Sequence, residues 1–241
     1  MKLRIDKYLC DMGIGTRTEI KTYIKQKLIT VNDVIVKNSS DKVDTDSDVV
    51  TFNGHKVCYV EYEYFLLNKP AGVISATEDR NSKTVIDLIT DRNRDDLFPV
   101  GRLDKDTEGL LIITNDGALA HKLLSPKKHV DKKYYLETEG TLTEQHVNLI
   151  AKGLVVEDEF VAMPGVLEII ENSQGKTKAF LTIREGKFHQ VKRMMEAVGN
   201  TVTYLKRISM GPIVLPNNLK VGEYRRLTEE EINCLKEYEV C

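Results

Sequence analysis

The sequence predicts an α+β fold, with a small N-terminal α+β domain followed by a larger domain built on a mixed, mostly antiparallel sheet. Three observations predict it. The chain has 241 residues, which is more than one average domain needs. Helical and strand patterns alternate without the regular repeat of a βαβ fold. A new apolar strand begins at Phe65 after a connection at 58–63, so we place the domains at residues 1–58 and 62–241.

Two short helices are predicted at the N-terminus. The first covers residues 6–12, ends at Gly13, and takes its apolar face from Leu3, Ile5, Tyr8 and Leu9. The second covers residues 17–27 and has the i, i+3, i+4 apolar spacing of an amphipathic helix. Its opposite face presents a basic residue at every fourth position: Arg17, Lys21 and Lys25.

Short strands and tight turns complete the predicted N-terminal domain. The segments LITV and VIVK flank Asn32-Asp33 and predict a hairpin. Residues 49–52 form a strand before the turn-prone pair Asn53-Gly54. Residues 39–48 are polar and acidic, and we interpret them as a surface loop within this domain.

The larger domain mixes helices and strands in no regular order. Helical patterns lie at 84–89, 118–124, 143–152 and 187–198. Strand patterns lie at 110–114, 134–137 and 179–183. Asn115-Asp116-Gly117 stops the first of these strands, and a capping box of Thr228 and Glu231 begins a last helix.

The composition excludes several classes of protein. Hydrophobic residues make up 41% and charged residues 30%, which is ordinary for a globular chain and argues against disorder. No apolar run of membrane-spanning length occurs. Cys10, Cys58, Cys234 and Cys241 form no C-x-x-C pair, and the histidines form no H-E-x-x-H, so neither a metal site nor a disulfide scaffold is predicted. With no signal peptide at the N-terminus, we expect a cytoplasmic protein.

The net charge of −2 hides two basic regions. Residues 1–42 carry nine Lys and Arg against five Asp and Glu, and residues 176–207 carry eight against two. Basic patches on a nearly neutral chain are typical of a surface that binds a polyanion, although a solvated protein face gives the same pattern.

The segment FPVGRLDKDTEGLLIITNDG at 98–117 holds the strongest candidate for chemistry. Asp104 lies on a glycine-flanked loop directly before an apolar strand, a position from which a carboxylate can enter a cleft. The neighbouring acids lack the ligand spacing and the closing Glu of an EF-hand. A charged surface turn is the other interpretation of the same residues.

Five segments in a fixed order resemble the motifs of the pseudouridine synthases. GRLDKDTEGLL is similar to their catalytic motif, and residues 1–58 are similar to the S4 RNA-binding domain. The other four are LNKPAG (67–72), SPKKHVDKKYY (125–135, the K-x-Y segment), REGKFHQVKRM (184–194) and GEYRRLTEEEI (222–232). The chain thus resembles the RsuA-like family, the small-subunit (16S) ribosomal RNA pseudouridine synthases, over nearly its whole length.

This resemblance implies a reaction and a set of roles. The N1–C1′ bond of a uridine is cleaved, the uracil turns, and it rejoins the sugar through C5. No oxidation state changes and no group leaves, so no cofactor or metal is expected. Asp104 is the implied essential residue, which attacks the sugar or takes a proton from it. Tyr134 matches the active-site tyrosine, Lys192 the basic partner of the Asp, and Arg102 the arginine that contacts RNA and supports base flipping.

The implied partner is ribosomal RNA, free or in a partly assembled small subunit, and we expect a monomer with no membrane contact. His189 is interpreted as a structural hydrogen-bonding residue, because no acid or base partner for it is identifiable in the sequence. Two alternatives stay open. The chain could be a large-subunit (23S) synthase of the same superfamily, or a non-catalytic assembly factor that binds RNA.

Overall fold

The computed structural model describes residues 1–125, 128–157 and 160–238. Pro126 and Lys127 of the 125–135 segment, and Cys241, lie outside the described residues. The chain divides into two compact units. The first contains Met1–Glu63 and Thr90–Leu97, and the second contains Tyr64–Ile89 and Phe98–Cys241.

The first unit combines two helices with short antiparallel strands. Its helices are α1 (Ile5–Asp11) and α2 (Arg17–Lys25). Its strands are β1 (Lys2–Arg4), β2 (Ile29–Val31), β3 (Val34–Ile35), β4 (Lys42–Asp44), β5 (Val50–Phe52) and β6 (His55–Val57). Strand β1 pairs with β4, and the other four form a sheet in the order β3-β2-β5-β6. The core is apolar: Ile5, Tyr8, Leu9, Ile20, Ile24, Ile29, Val36, Val43 and Val50.

Local chemistry explains where these elements begin and turn. Thr16 caps α2 in a reciprocal capping box, in which the Glu19 amide bonds to the Thr16 hydroxyl and the Glu19 carboxylate accepts from the Thr16 amide. Asn32 and Asp33 both have positive φ, as a two-residue hairpin turn requires, and this confirms the predicted β2–β3 hairpin.

Two expectations for the first unit are wrong. Leu3 belongs to strand β1 and not to the first helix. Residues 42–44, expected in a surface loop, form β4, in which Val43 is buried opposite Leu3. A single apolar residue between polar neighbours can form a strand when a partner strand buries it. Because the flanking residues are charged, the sequence shows no alternation long enough to predict this strand.

The segment Thr90–Leu97 joins the first unit through polar contacts. Arg94 is buried, donates to Asp96 at 2.8 Å through Nε, and lies 3.5 Å from Asp11. The amides of Asn93 and Arg94 both bond to the carboxylate of Glu63. A charged loop held by the buried side chains of Arg94 and Glu63 has no hydrophobic periodicity, so its sequence predicts no helix or strand.

The second unit is built on one large mixed sheet. Its strands are β7 (Tyr64–Lys69), β8 (Phe98–Pro99), β9 (Glu108–Thr114), β10 (Lys132–Glu139), β11 (Leu154–Glu157), β12 (Phe160–Ala162), β13 (Val166–Ser173), β14 (Lys176–Ile183), β15 (Thr201–Met210), β16 (Ile213–Val214) and β17 (Tyr224–Arg226). The order in the large sheet is β13-β14-β10-β15-β9-β7-β17, while β8 pairs with β9 and β16 with β15. Only the β15–β9 pair is parallel among the described strands, which confirms the predicted fold class.

The helices of this unit are α3 (Gly117–Leu124), α4 (Glu144–Lys152), α5 (Gln190–Ala197) and α6 (Glu229–Glu237), with a short 3₁₀ turn at Ile86–Leu88. Asp116 caps α3 and Thr228 caps α6 by the predicted capping box. Helix α5 packs against β15. In the part of the chain that the structure describes, no helix is long and apolar enough to cross a membrane.

Helix α5 is shorter than the sequence predicts. Residues 187–198 were expected to be helical, but α5 begins at Gln190. His189 precedes it with φ +49°, in the left-handed region, and the Lys187 amide bonds to the Gln190 side chain instead of to the helix. Residues 187–189 therefore form a turn that points His189 away from the helical path.

Candidate functional site

The loop that carries Asp104 lies between β8 and β9 and is tied to the segment that follows β7. Ser75 Oγ donates to the Leu103 carbonyl at 2.9 Å and accepts from the Leu103 amide at 3.0 Å. The Gly72 amide bonds to the Lys105 carbonyl at 2.7 Å. These bonds fix the backbone on both sides of Asp104, so its carboxylate is presented from a rigid loop.

Lys69 supports the same loop from below, and sequence reasoning gave it no role. Its side chain is fully buried, and Nζ donates to the carbonyls of Pro70, Asp104, Lys105 and Thr107 at 2.9–3.3 Å. Burial lowers the pKa of Lys69 to about 8, and the nearby carboxylates oppose that shift. The signal in the sequence was a lysine directly after the apolar run and asparagine of FLLNK, because a lysine that continues a buried strand must find several acceptors.

We expect Lys69→Met to destabilise the protein by about 3 kcal/mol, since several buried carbonyls would lose their donor. Urea unfolding of the variant, beside Lys152→Met at the exposed end of α4, measures the effect. Equal unfolding midpoints for the two variants would show that Lys69 does not hold the loop.

Two basic side chains from the region of α5 face Asp104. Lys192 Nζ lies 3.7 Å from Asp104 Oδ2, and His189 Nε2 lies 3.6 Å from Asp104 Oδ1. Lys192 is closer still to Asp106, at 2.7 and 2.8 Å from its two oxygens. The hydrogen bond from Lys192 is the main cause that lowers the pKa of Asp106. Lys192 therefore bridges two carboxylates, and Asp104 is an acidic neighbour of His189 that the sequence did not identify.

A cavity of about 650 Å³ opens beside Asp104, a volume typical of small-molecule sites. Arg102, Lys105 and Arg184 are among its lining residues. A smaller recess shares Asp104 with the cavity and is lined by Tyr134 and Thr107. The Thr107 hydroxyl is buried and has no hydrogen-bond partner among residues 1–125, 128–157 and 160–238.

The structure brings the four candidate residues of this unit together. Arg102, Asp104 and Tyr134 line the same recess, and Lys192 contacts Asp104. Tyr134 is buried on β10 directly opposite Arg207 of β15, with Leu181 of β14 on its other side. Arg102 is exposed and makes no ion pair with the rest of the described chain, so it is free to contact a ligand.

Two buried basic residues lie on the sheet face that carries Tyr134, and the sequence alone did not indicate them as site residues. Lys132 lines the large cavity although it is almost fully buried, and burial, with the charge of Arg207 second, lowers its pKa to about 8. Arg207 is buried and donates through Nε to the Leu110 carbonyl at 2.7 Å. The sequence signal for Lys132 is the alternation of side chains along a strand. Residues two apart share a face, so Lys132 lies on the same face as the apolar residues two and four positions after it.

The parallel pairing of β9 with β15 depends on Gly109. Its φ is +103°, and a Cβ there would lie 2.2 Å from the carbonyl oxygen of Arg207. No other residue can occupy this position without separating the two strands. The glycine of the DTEGLL segment therefore lets the strand that follows Asp104 lie against β15, whose Leu205 lines the recess.

The predicted basic face is present in the first unit. Arg17, Lys21 and Lys25 lie one turn apart on α2, and all three are exposed. None of them forms an ion pair within the described part of the chain. The face is therefore a row of three exposed cations without a direct ion pair.

Comparisons with known proteins agree over both units. The sequence profile of the RNA pseudouridylate synthase family matches residues 63–197, and that of the S4 domain matches residues 3–50. An uncharacterized RNA pseudouridine synthase of Bacillus subtilis, YtzG, is 47% identical over 98% of this chain and 99% of its own. Ribosomal small subunit pseudouridine synthase A of Vibrio cholerae is 38% identical, over 95% of this chain and 98% of its own.

Two further relatives extend this comparison. Ribosomal small subunit pseudouridine synthase A of Escherichia coli is 37% identical over 95% of this chain and 98% of its own. A pseudouridylate synthase crystal structure superposes with a TM-score of 0.68 at 34% identity, covering 97% of this chain and 99% of the other. These four matches cover 95–98% of the chain, and the family profile over residues 63–197 includes the loop of Asp104.

Proposed function

The chain belongs to the RNA pseudouridylate synthase family and carries an N-terminal S4 domain, and from this premise we propose that it converts a uridine of small-subunit (16S) ribosomal RNA to pseudouridine. Asp104 is the reacting carboxylate. The observation that carries this proposal is the placement of Asp104 on a rigid loop at a cavity, within 4 Å of two basic side chains.

The reaction balances without any outside reagent. The N1–C1′ bond of the uridine breaks and a C5–C1′ bond forms, while C5 loses a proton and N1 gains one. The Asp104 carboxylate acts on the sugar, either by attacking it or by removing a proton from it. Both routes use the carboxylate oxygens of Asp104, and Lys192 Nζ places a cation 3.7 Å from Asp104 Oδ2 and 2.7 Å from Asp106 Oδ1.

The neighbouring residues have roles that follow from their positions. The target base must leave the RNA stack to reach Asp104. We assign Tyr134 as the ring against which the flipped uracil packs, because it lines the recess shared with Asp104. We assign Arg102, exposed and unpaired beside Asp104, to the RNA backbone and to support of the flipped state.

The assignment to small-subunit RNA rests on the relatives from Vibrio cholerae and Escherichia coli, whose names specify the small ribosomal subunit. We propose that the protein works as a monomer in the cytoplasm, with domains at 1–58 and 62–241. Incubation of the purified protein with unmodified 16S or 23S RNA, followed by pseudouridine mapping, tests the substrate. We expect one modified position in 16S RNA. Modification of 23S RNA alone would favour the large-subunit alternative, and no modification of either would favour a binding protein.

We propose that the basic face of α2 binds RNA phosphates. Replacing Arg17, Lys21 and Lys25 with Gln is expected to weaken binding to structured RNA and to flatten the plot of log affinity against log salt by about two to three units, at roughly 0.9 per phosphate contact. Affinity measured at several salt concentrations, beside single-turnover rates at saturating enzyme, checks this. The rate on bound RNA should hardly change. An unchanged salt slope would show that the face is only solvated.

A further inference from the structure

Phe188 is an exposed aromatic side chain at the catalytic cavity. It is 69% exposed, and it lines the 650 Å³ cavity beside Asp104. Scattered apolar residues on a surface are ordinary, but a large exposed aromatic ring at a cavity that also carries several charged side chains is a typical recognition feature.

The Phe188 ring stacks on His189. Their centroids are 3.7 Å apart and the ring planes differ by 20°. His189 in turn lies 3.6 Å from Asp104, so the stack extends outward from the reacting carboxylate. Because His189 covers one face of the Phe188 ring while the ring stays largely exposed, its other face is open to a ligand.

The turn that holds the two rings is rigid. The Gln190 side chain accepts a hydrogen bond from the Lys187 amide at 3.0 Å and donates one to the Glu185 carboxylate at 2.7 Å. The same carboxylate accepts a hydrogen bond from the Met163 amide. A side chain of α5, that of Arg193, donates to the Phe188 carbonyl. A stack fixed in this way loses little entropy when a flat ligand joins it.

Phe188 and Tyr134 serve different parts of the site. Tyr134 lines the smaller recess and not the large cavity, whereas Phe188 lines the large cavity and not the recess. Asp104 and His189 line both. A uracil that packs against Tyr134 occupies the recess, whose lining does not include Phe188.

The charges around Phe188 select the class of ligand. Arg102, Lys105, Arg184 and Lys187 line the cavity, against the carboxylates of Asp104 and Glu185. A ligand that fits must combine a flat apolar face with negative charge, as a nucleotide does. Aromatic rings in basic grooves stack nucleobases with little regard to sequence.

We propose that Phe188, backed by His189, stacks a second base of the RNA, one that neighbours the target uridine. This inference rests on the proposed function, since it needs RNA in the cavity. The stacked neighbour would hold the strand in the distorted path that keeps the target uracil beside Asp104.

The test compares Phe188→Ala, Phe188→Trp and the control Ile170→Ala, an exposed apolar residue of β13. The probes are RNA oligonucleotides that contain the uridine modified by the wild-type protein. In one set a single neighbouring base is replaced by 2-aminopurine, and in a second set the same base is removed to leave an abasic site. At the position whose base stacks on Phe188, the wild type should quench the fluorescence of 2-aminopurine. We expect Phe188→Ala to abolish this quenching and to weaken RNA binding about tenfold or more. Phe188→Trp should retain both, and Ile170→Ala should match the wild type.

The abasic probe separates stacking from a structural effect. Removing the stacked base should weaken binding of the wild type and leave Phe188→Ala unaffected. In Phe188→Ala the KM should rise, and kcat at saturating RNA should fall by a smaller factor, because fewer bound RNA molecules hold the target uracil beside Asp104. Unchanged binding in Phe188→Ala, or an equal loss on intact and abasic RNA at every position, would overturn the inference while the proposed function stands. Wild-type protein that forms no pseudouridine in any RNA would overturn both.

Discussion

Asp104→Asn is expected to lower pseudouridine formation by at least about 10³-fold while RNA affinity stays close to that of the wild type. The amide is nearly isosteric with the carboxylate, so the loop bonds of Ser75 and Gly72 stay in place. What is lost is the negative oxygen that must attack the sugar or accept its proton. Single-turnover assays at saturating enzyme, beside filter binding of the same RNA, measure the two quantities separately.

A matched control makes this result specific. Asp33→Asn is the same chemical change at an exposed turn whose positive φ asparagine accepts readily. It should behave as the wild type in both assays. Normal turnover by Asp104→Asn would show that another group performs the chemistry, and a parallel loss of RNA binding would show a structural role for Asp104.

Lys192→Met is expected to reduce turnover by about 100-fold or more, because the variant leaves two carboxylates close together without their shared cation. Lys192→Arg should retain more activity, since a guanidinium can still bridge Asp104 and Asp106. Lys178→Met, which breaks an exposed pair with Glu171, is the control and should be fully active. Wild-type rates in both Lys192 variants would reduce Lys192 to an ordinary surface lysine.

The pH dependence of stability gives a second readout for Lys192. Its hydrogen bond holds the pKa of Asp106 below the ordinary value of 3.8, so this pair stabilises the folded protein above that pH and loses its effect as the pH falls through the lowered pKa. The difference in stability between the wild type and Lys192→Met should therefore shrink in acid. A difference that is constant down to low pH would mean that the pair with Asp106 contributes nothing.

The parts of the fold that follow local rules could be predicted from the sequence. The hairpin at Asn32-Asp33 and the cap of Thr228 obey turn and capping chemistry that a few residues determine. The strand that ends at Thr114 is a continuous apolar run, and it follows the Asp104 loop directly. The glycine-flanked acidic loop before that strand made Asp104 a candidate, and the resemblance of GRLDKDTEGLL to the catalytic motif of the pseudouridine synthases singled it out.

The remaining features depend on partners that are distant in sequence. Strand β15 contains Lys206 and Arg207, so it was counted only as a basic region, but β9 and β10 cover Arg207 from both sides. Lys69 could be given no role before the carbonyls of the Asp104 loop were seen around it. The contact of His189 with Asp104 arises from a left-handed residue ahead of α5, which helical periodicity does not indicate.

The central claim is that the Asp104 carboxylate isomerises a uridine of small-subunit ribosomal RNA. Its most direct test is pseudouridine mapping of ribosomal RNA from cells that lack this protein and are supplied with either the wild type or Asp104→Asn at equal levels. We expect one position of 16S RNA to regain pseudouridine with the wild type and to stay uridine with the variant. A position restored equally by both proteins, or no 16S position that depends on the wild type, would contradict the account.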